Sequence, residues 1–198
     1  MDRRKVNLIY GTTGSGKTTL ANALLRPDPK VIILDCDFRE IEYAAEAPNL
    51  IEFGNYVKEN FNRNYRLIYT PEDWEFDDTF DIIKIAGEYS ANPVMLVLEE
   101  ADRFFDSRPF RSIINRGRHY NLNLTAISLR PAATITSLRS IATDVYASKF
   151  EDINDLKFFS SYFDISIFSR LGEYQFVHWK KYDSRNLSIV DSYLRLYK

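Results

Sequence analysis

The chain has 198 residues, is 45% hydrophobic and 27% charged, and carries a formal charge of −2. This composition suits one domain with a sizeable core and excludes both a disordered chain and a uniformly basic coat for nucleic acid. No run approaches the roughly 18 apolar residues of a membrane span, and the polar start MDRRKVNLIY reaches a glycine loop too early for a secretory signal. A soluble, intracellular protein that is not secreted is therefore expected. The single cysteine, Cys36, excludes an internal disulfide or a cysteine zinc site and is expected to act as a small buried hydrophobe.

Strand-like runs rich in Val, Ile, Leu and Tyr recur at residues 5–10, 31–36, 66–69, 94–99, 122–128 and 144–149. The middle ones are apolar throughout, the habit of strands covered on both faces of a parallel sheet. Helical stretches separate them at 17–26, 39–47, 55–61, 78–90, 108–118 and 134–141. Alternation of this kind predicts an α/β layered fold with helices flanking a mostly parallel central sheet. After residue 150 the pattern changes to a helix in EDINDLKFFSSYF, a hairpin around GEYQFVHWKK and a short strand near 187–190. With no internal repeat or long linker, residues 1–198 read as one unit: a core over 5–150 and a small helix-plus-hairpin addition over 151–198.

The strongest motif is GTTGSGKT, Gly11 to Thr18, set between the strand KVNLIY and the helix KTTLANALL. It matches G-x-x-x-x-G-K-[ST] in the strand-then-helix context the motif requires, and a chance match in a chain of this size is about a 1% event. Gly11, Gly14 and Gly16 let the backbone curl so that the amides of Thr12, Thr13, Ser15 and Thr19 and the helix N-terminus face phosphate oxygens. Lys17 reaches the β- and γ-phosphates, and Thr18 supplies a hydroxyl to Mg²⁺. The ligand is a nucleoside triphosphate with magnesium; without an N-K-x-D guanine-reading motif, ATP is expected.

Such a site needs an acid on a neighbouring strand. VMLVLEEAD, residues 94–102, drives five apolar residues into two adjacent glutamates. Glu99 is expected to serve the magnesium. Glu100, facing the other way by strand alternation, is expected to orient and deprotonate the attacking water. Read alone, both would be solvated strand-end carboxylates or helix caps. Asp35 and Asp37 in LDCDFRE are read as caps of the next helix.

The glycine loop, LVLEEAD, RGRHYNLNLTAISLRP and SLRSIATDVYASKF together resemble the HerA/FtsK superfamily of P-loop ATPases over residues 5–150. The compact size and the Arg-His pair are similar to viral genome-packaging ATPases and to zonula-occludens-toxin-like phage proteins. The resemblance implies a RecA-like fold, a pentameric or hexameric ring of identical copies, and double-stranded DNA as the translocated partner. It further implies capsid or vertex proteins as docking partners and a place in the host cytoplasm or at the virion vertex. Two departures stand out: Glu99 replaces the usual Asp, and Leu129 stands where the superfamily has Gln before Arg-Pro. The γ-phosphate sensor is carried over to the nearest polar residue, Ser128.

Between Arg103 and Arg139 the chain has seven arginines, no lysine and one acid, Asp106. The resemblance implies that one of Arg118, Arg116 and Arg139 enters a neighbouring subunit's site as an arginine finger. Arg103, Arg108 and Arg111 read equally well as surface residues or as phosphate contacts. His119 is read as a phosphate or subunit contact, and His178 as an edge-strand side chain. Phe158, Phe159, Tyr162 and Phe163 are read as core. The function expected is DNA translocation by a ring ATPase, with a nucleotide-kinase-like phosphotransferase and a protein-assembly or secretion ATPase as alternatives.

Overall fold

The computed structural model describes residues 4–34, 44–183 and 186–197. The strands are β1 (Val6–Tyr10), β2 (Lys30–Leu34), β3 (Ala45–Glu46), β4 (Tyr65–Tyr69), β5 (Val94–Leu98), β6 (Leu122–Ser128), β7 (Asp144–Ala147), β8 (Gln175–Lys180), β9 (Leu187–Asp191) and β10 (Leu196–Tyr197). The helices are α1 (Lys17–Leu25), α2 (Leu50–Glu59), α3 (Phe76–Glu88), α4 (Arg108–Arg116), α5 (Thr136–Ile141) and α6 (Ile153–Phe159).

All ten strands form one sheet in the order β10-β9-β8-β7-β1-β6-β5-β2-β4-β3. Strands β1 to β7 pair in parallel. The last three are added antiparallel beyond β7. This is the mostly parallel, helix-flanked α/β architecture of RecA-like P-loop NTPases. Every residue of β1, β2 and β5 is buried, as continuous apolar runs in a doubly covered sheet should be. Alternate side chains feed two cores. Leu8, Leu34, Leu96 and Leu124 meet Phe53, Phe80, Phe110 and Phe159 from α2, α3, α4 and α6. Ile9, Ile33, Val97 and Ile127 meet Leu20, Leu24 and Leu25 of α1. Phe80 stacks on Phe110 at 4.9 Å between ring centroids, so truncating Phe110 to Ala should cost about 3–5 kcal/mol. Among the described residues, no helix is long and apolar enough to cross a membrane.

Several expectations need correction. Of the helix expected at 39–47, the part up to 43, with Asp35, Cys36 and Asp37 before it, lies outside the described residues. Its end is instead β3, which pairs in parallel with β4. Helix α2 begins at Leu50, five residues earlier than expected, because Asn49 caps it by accepting from the Glu52 backbone amide at 2.9 Å. GEYQFVHWKK supplies β8, which forms the expected hairpin with β9 and also pairs with β7 on its other side. His178 is therefore not at an edge. It is 8% exposed, bonded to Asp144 at 2.9 Å and stacked on Tyr146. The aromatic reading holds: Phe158 and Phe159 are buried, and Tyr162 and Phe163 pack against the same core.

Candidate functional site

The parallel strands end on one edge of the sheet, where α/β proteins bind ligands. Tyr10 lies level with Ser128 on one side and with Ala147 on the other, and Leu98 is level with both Leu34 and Ala126. Everything that immediately follows these residues is thereby gathered on one rim.

Directly after Tyr10 the chain turns through Gly11 to Gly16 into α1. A Cβ on Gly11 would crowd Ser15 Oγ and lie 2.7 Å from Ser148 Oγ, so both hydroxyls would have to turn out of the curl. Gly14 and Gly16 take left-handed φ angles of 78° and 88°. Inside this curl the Ser15 and Ser148 hydroxyls are buried without a hydrogen-bond partner among the described residues, a cost that a bound acceptor would remove. Lys17 Nζ folds back to donate to the Thr12 carbonyl at 2.9 Å. Burial lowers its pKa while Glu99 opposes the shift, so the Glu99 carboxylate lies in the lysine's field. Thr18 and Thr19, half-buried, open α1, whose first amides have no intrahelical acceptor and whose N-terminus lacks a side-chain cap. Glycine cradle, unpartnered hydroxyls, lysine and helix N-terminus together fit a polyphosphate.

Strand β5 stops at Leu98, one residue before the expected end. Glu99 is half-buried, its amide donating to Leu34 O at 3.2 Å. Glu100 does not point away by strand alternation, because it is not in the strand. It is exposed and left-handed, with φ 48° and ψ 52°, and it opens a 3-10 turn over Ala101–Phe104. A non-glycine residue in this region is held there at a cost, a feature that clusters at functional sites. The turn brings round a third acid that sequence reasoning passed over. Asp102 Oδ1 accepts from Ser128 Oγ at 3.4 Å, and the same hydroxyl accepts from Arg130 N at 3.3 Å. The i, i+3 spacing from Glu99 was the available signal for Asp102. Ser128 itself is 5% exposed, so the hydroxyl is a fixed link between the acidic turn and the β6 end.

The arginines are elsewhere. Arg116, Arg118 and His119 are exposed on the turn between α4 and β6, at the opposite, amino edge of the sheet. With Arg4, Thr143 and Lys181 they line a cleft of about 320 Å³. The length of a five-residue strand, about 15 Å, separates this edge from the phosphate loop. Arg4 was not singled out from the sequence, yet it organises the turn. Its Nε and Nη1 donate to Leu122 O and Ile114 O, both at 2.8 Å. Its guanidinium fills the space a Cβ on Gly117 would need. Burial, and then the neighbouring Arg118, push its pKa down to about 10. Arg139 sits in the last turn of α5, bonded to Thr136 Oγ1 at 3.0 Å and 5.3 Å from the Phe158 ring centroid. Arg103 and Arg111 are paired with Asp73 and Asp106, which favours the surface reading for both.

No family model matches the chain, and no curated protein matches its sequence. Solved structures do share its fold. The genome packaging NTPase B204 of Sulfolobus turreted icosahedral virus 2, in complex with ATP-gammaS, superposes with a TM-score of 0.76 at 17% identity, over 96% of this chain and 98% of that one. The N-terminal domain of zonular occludens toxin from Neisseria meningitidis gives 0.55 at 14% identity, over 100% and 95%. The cytoplasmic domain of the Type VII secretion ATPase EccC from Thermomonospora curvata gives 0.59 at 11% identity, over 97% of this chain and 24% of that one. The chain thus shares its fold with these three proteins.

Proposed function

We propose that this chain is an ATP-hydrolysing motor that assembles as a ring, moves double-stranded DNA and packages a viral genome into a capsid. One observation carries the reading: the glycine loop and the acids after β5 lie at one edge of the sheet, while an exposed arginine pair lies at the other. The fold shared with a viral genome packaging NTPase supports the choice of substrate.

The loop from Gly11 to Thr19 holds the phosphates, with Lys17 leaving the Thr12 carbonyl to neutralise the β- and γ-oxygens. Thr18 Oγ1 and the Glu99 carboxylate would hold magnesium, which would supply positive charge to offset that of the phosphates. Glu100, on its left-handed turn, orients a water in line with the γ-phosphorus and accepts its proton. The new O–P bond forms as the bond to the β-phosphate bridging oxygen breaks, releasing ADP and phosphate. Ser128 links this event to the rest of the sheet through Asp102 and Arg130. Arg118 and Arg116 reach the γ-phosphate of an adjacent copy, because the length of the strands separates them from their own loop.

ATP turnover measured with and without duplex DNA, as salt is raised, tests the reading. Stimulation by DNA that fades steeply with salt is expected, since contacts to the backbone release counterions. The secretion ATPase of the same fold supports a second reading, in which the cargo is protein. That reading predicts hydrolysis untouched by DNA at any salt concentration.

A further inference from the structure

The segment after the core presses an aromatic corner against the end of the phosphate loop. A Cβ on Gly16 would lie 3.3 Å from Tyr174 Cδ1 and 3.3 Å from Ser192 Cβ. Because β8 runs antiparallel to β7, the turns before β8 and after β9 come to the same edge as the loop. The corner is built rather than loose. Ser192 N donates to Tyr174 O at 2.9 Å, joining the two turns. The buried Asp191 carboxylate accepts from the amides of Tyr193 and Arg195, each at 2.9 Å. Tyr174 and Leu194 are left-handed, with φ 56° and 66°, conformations that side-chain-bearing residues adopt at a cost. The result keeps two rings in solvent, Tyr174 at 50% and Tyr193 at 60% exposure.

Sheet order gives this corner its direction. The acids after β5 lie on one side of β1, beyond β6, while β8 and β9 lie on the other, beyond β7. The terminal phosphate belongs on the side of the acids, so the nucleoside leaves the loop on the opposite, Gly16 side, where Tyr174 and Ser192 pack. We propose that Tyr174, flanked by Ser192 and Tyr193, is the nucleobase site, holding the base by stacking. This rests on the ATPase reading and deepens it. The corner's Tyr174 carbonyl and its Tyr193 and Arg195 amides are bonded within the corner. The half-exposed Tyr174 ring offers a broad face to a base, and every base offers a π-face to it. The site accordingly takes purine nucleoside triphosphates with little discrimination between adenine and guanine.

Calorimetry on the full chain with magnesium, using ATP, GTP and inorganic tripolyphosphate, tests this. ATP and GTP should bind within about threefold of each other and at least about tenfold more tightly than tripolyphosphate. Tyr174→Gly relaxes the left-handed backbone while removing the ring. It should weaken both nucleotides by about tenfold and leave tripolyphosphate unchanged, and Tyr174→Phe should bind like the wild type. Unchanged nucleotide affinity in Tyr174→Gly, or an equal loss for tripolyphosphate, overturns the assignment. Tripolyphosphate binding as tightly as ATP in the wild type removes the base site and leaves the phosphate site standing. Binding of neither removes the ATPase reading itself.

Discussion

At the carboxyl edge of the sheet, two unpartnered serine hydroxyls crowd Gly11 and Lys17 lies in the field of Glu99, whereas at the amino edge Arg4, Arg116, Arg118 and Lys181 surround an open cleft. The first edge has the makings of an anion cradle with acids beside it; the second is a cluster of cations with no acid among the described lining residues. Hydrolysis of a triphosphate is helped by both kinds of group, yet about 15 Å of strand lies between them. In the proposed ring, a second copy with its amino edge against the first copy's carboxyl edge would join them. The site left unfinished in one copy would then be completed at every junction.

The separation can be broken from either side. Arg118→Ala should lower kcat by about 10³-fold with nucleotide affinity nearly unchanged, the effect of losing an arginine finger; equal loss of binding would put the residue in a different role. Glu100→Gln should slow turnover by about 10 to 10²-fold while ATP still binds, as single-turnover kinetics would show. Arg4→Gln removes the guanidinium that ties the Ile114 and Leu122 carbonyls together on either side of the α4–β6 turn. It should lower kcat by about tenfold through misplacement of Arg118, with the affinity for ATP intact.

The smallest expected effect concerns the amino edge itself, where His178 and Thr143 bond to Asp144 at the start of β7. Burial acts to raise the Asp144 pKa, but these hydrogen bonds outweigh it and hold the carboxyl below its ordinary value. A carboxyl depressed in the folded state contributes stability above the unfolded pKa and loses it as pH falls through the folded one. His178→Gln should therefore cost about 1 kcal/mol near neutral pH, and the gap to wild type should close below about pH 4. Urea melts at pH 7 and pH 3 would measure it.

Much of the carboxyl edge could be read before any coordinates. Local chemistry specifies the phosphate loop, since Gly11, Gly14, Gly16 and Lys17 each meet a requirement set within eight residues. The central strands were as readable, because β2 and β5 are buried on both faces and carry no polar residue after Lys30. What escaped was set by contacts distant in sequence. Arg4 acquires its place from Ile114 and Leu122, and Tyr174 from Ser192 and Gly16. The path of Glu100 escaped for a different reason: strand alternation assumes a strand, and β5 ends one residue before Glu99 and two before Glu100. The start of α2 was hidden by Gly54, a poor helix former, although Asn49 marked the cap.

The claim that two copies complete each site is tested most directly by mixing two impaired proteins, Arg118→Ala and Glu100→Gln, in varied ratios and measuring ATP turnover. In a mixed ring some junctions join an intact Glu100 to an intact Arg118, so activity should reappear and peak at intermediate ratios. Turnover that stays at the level of the separate variants at every ratio would contradict the shared site.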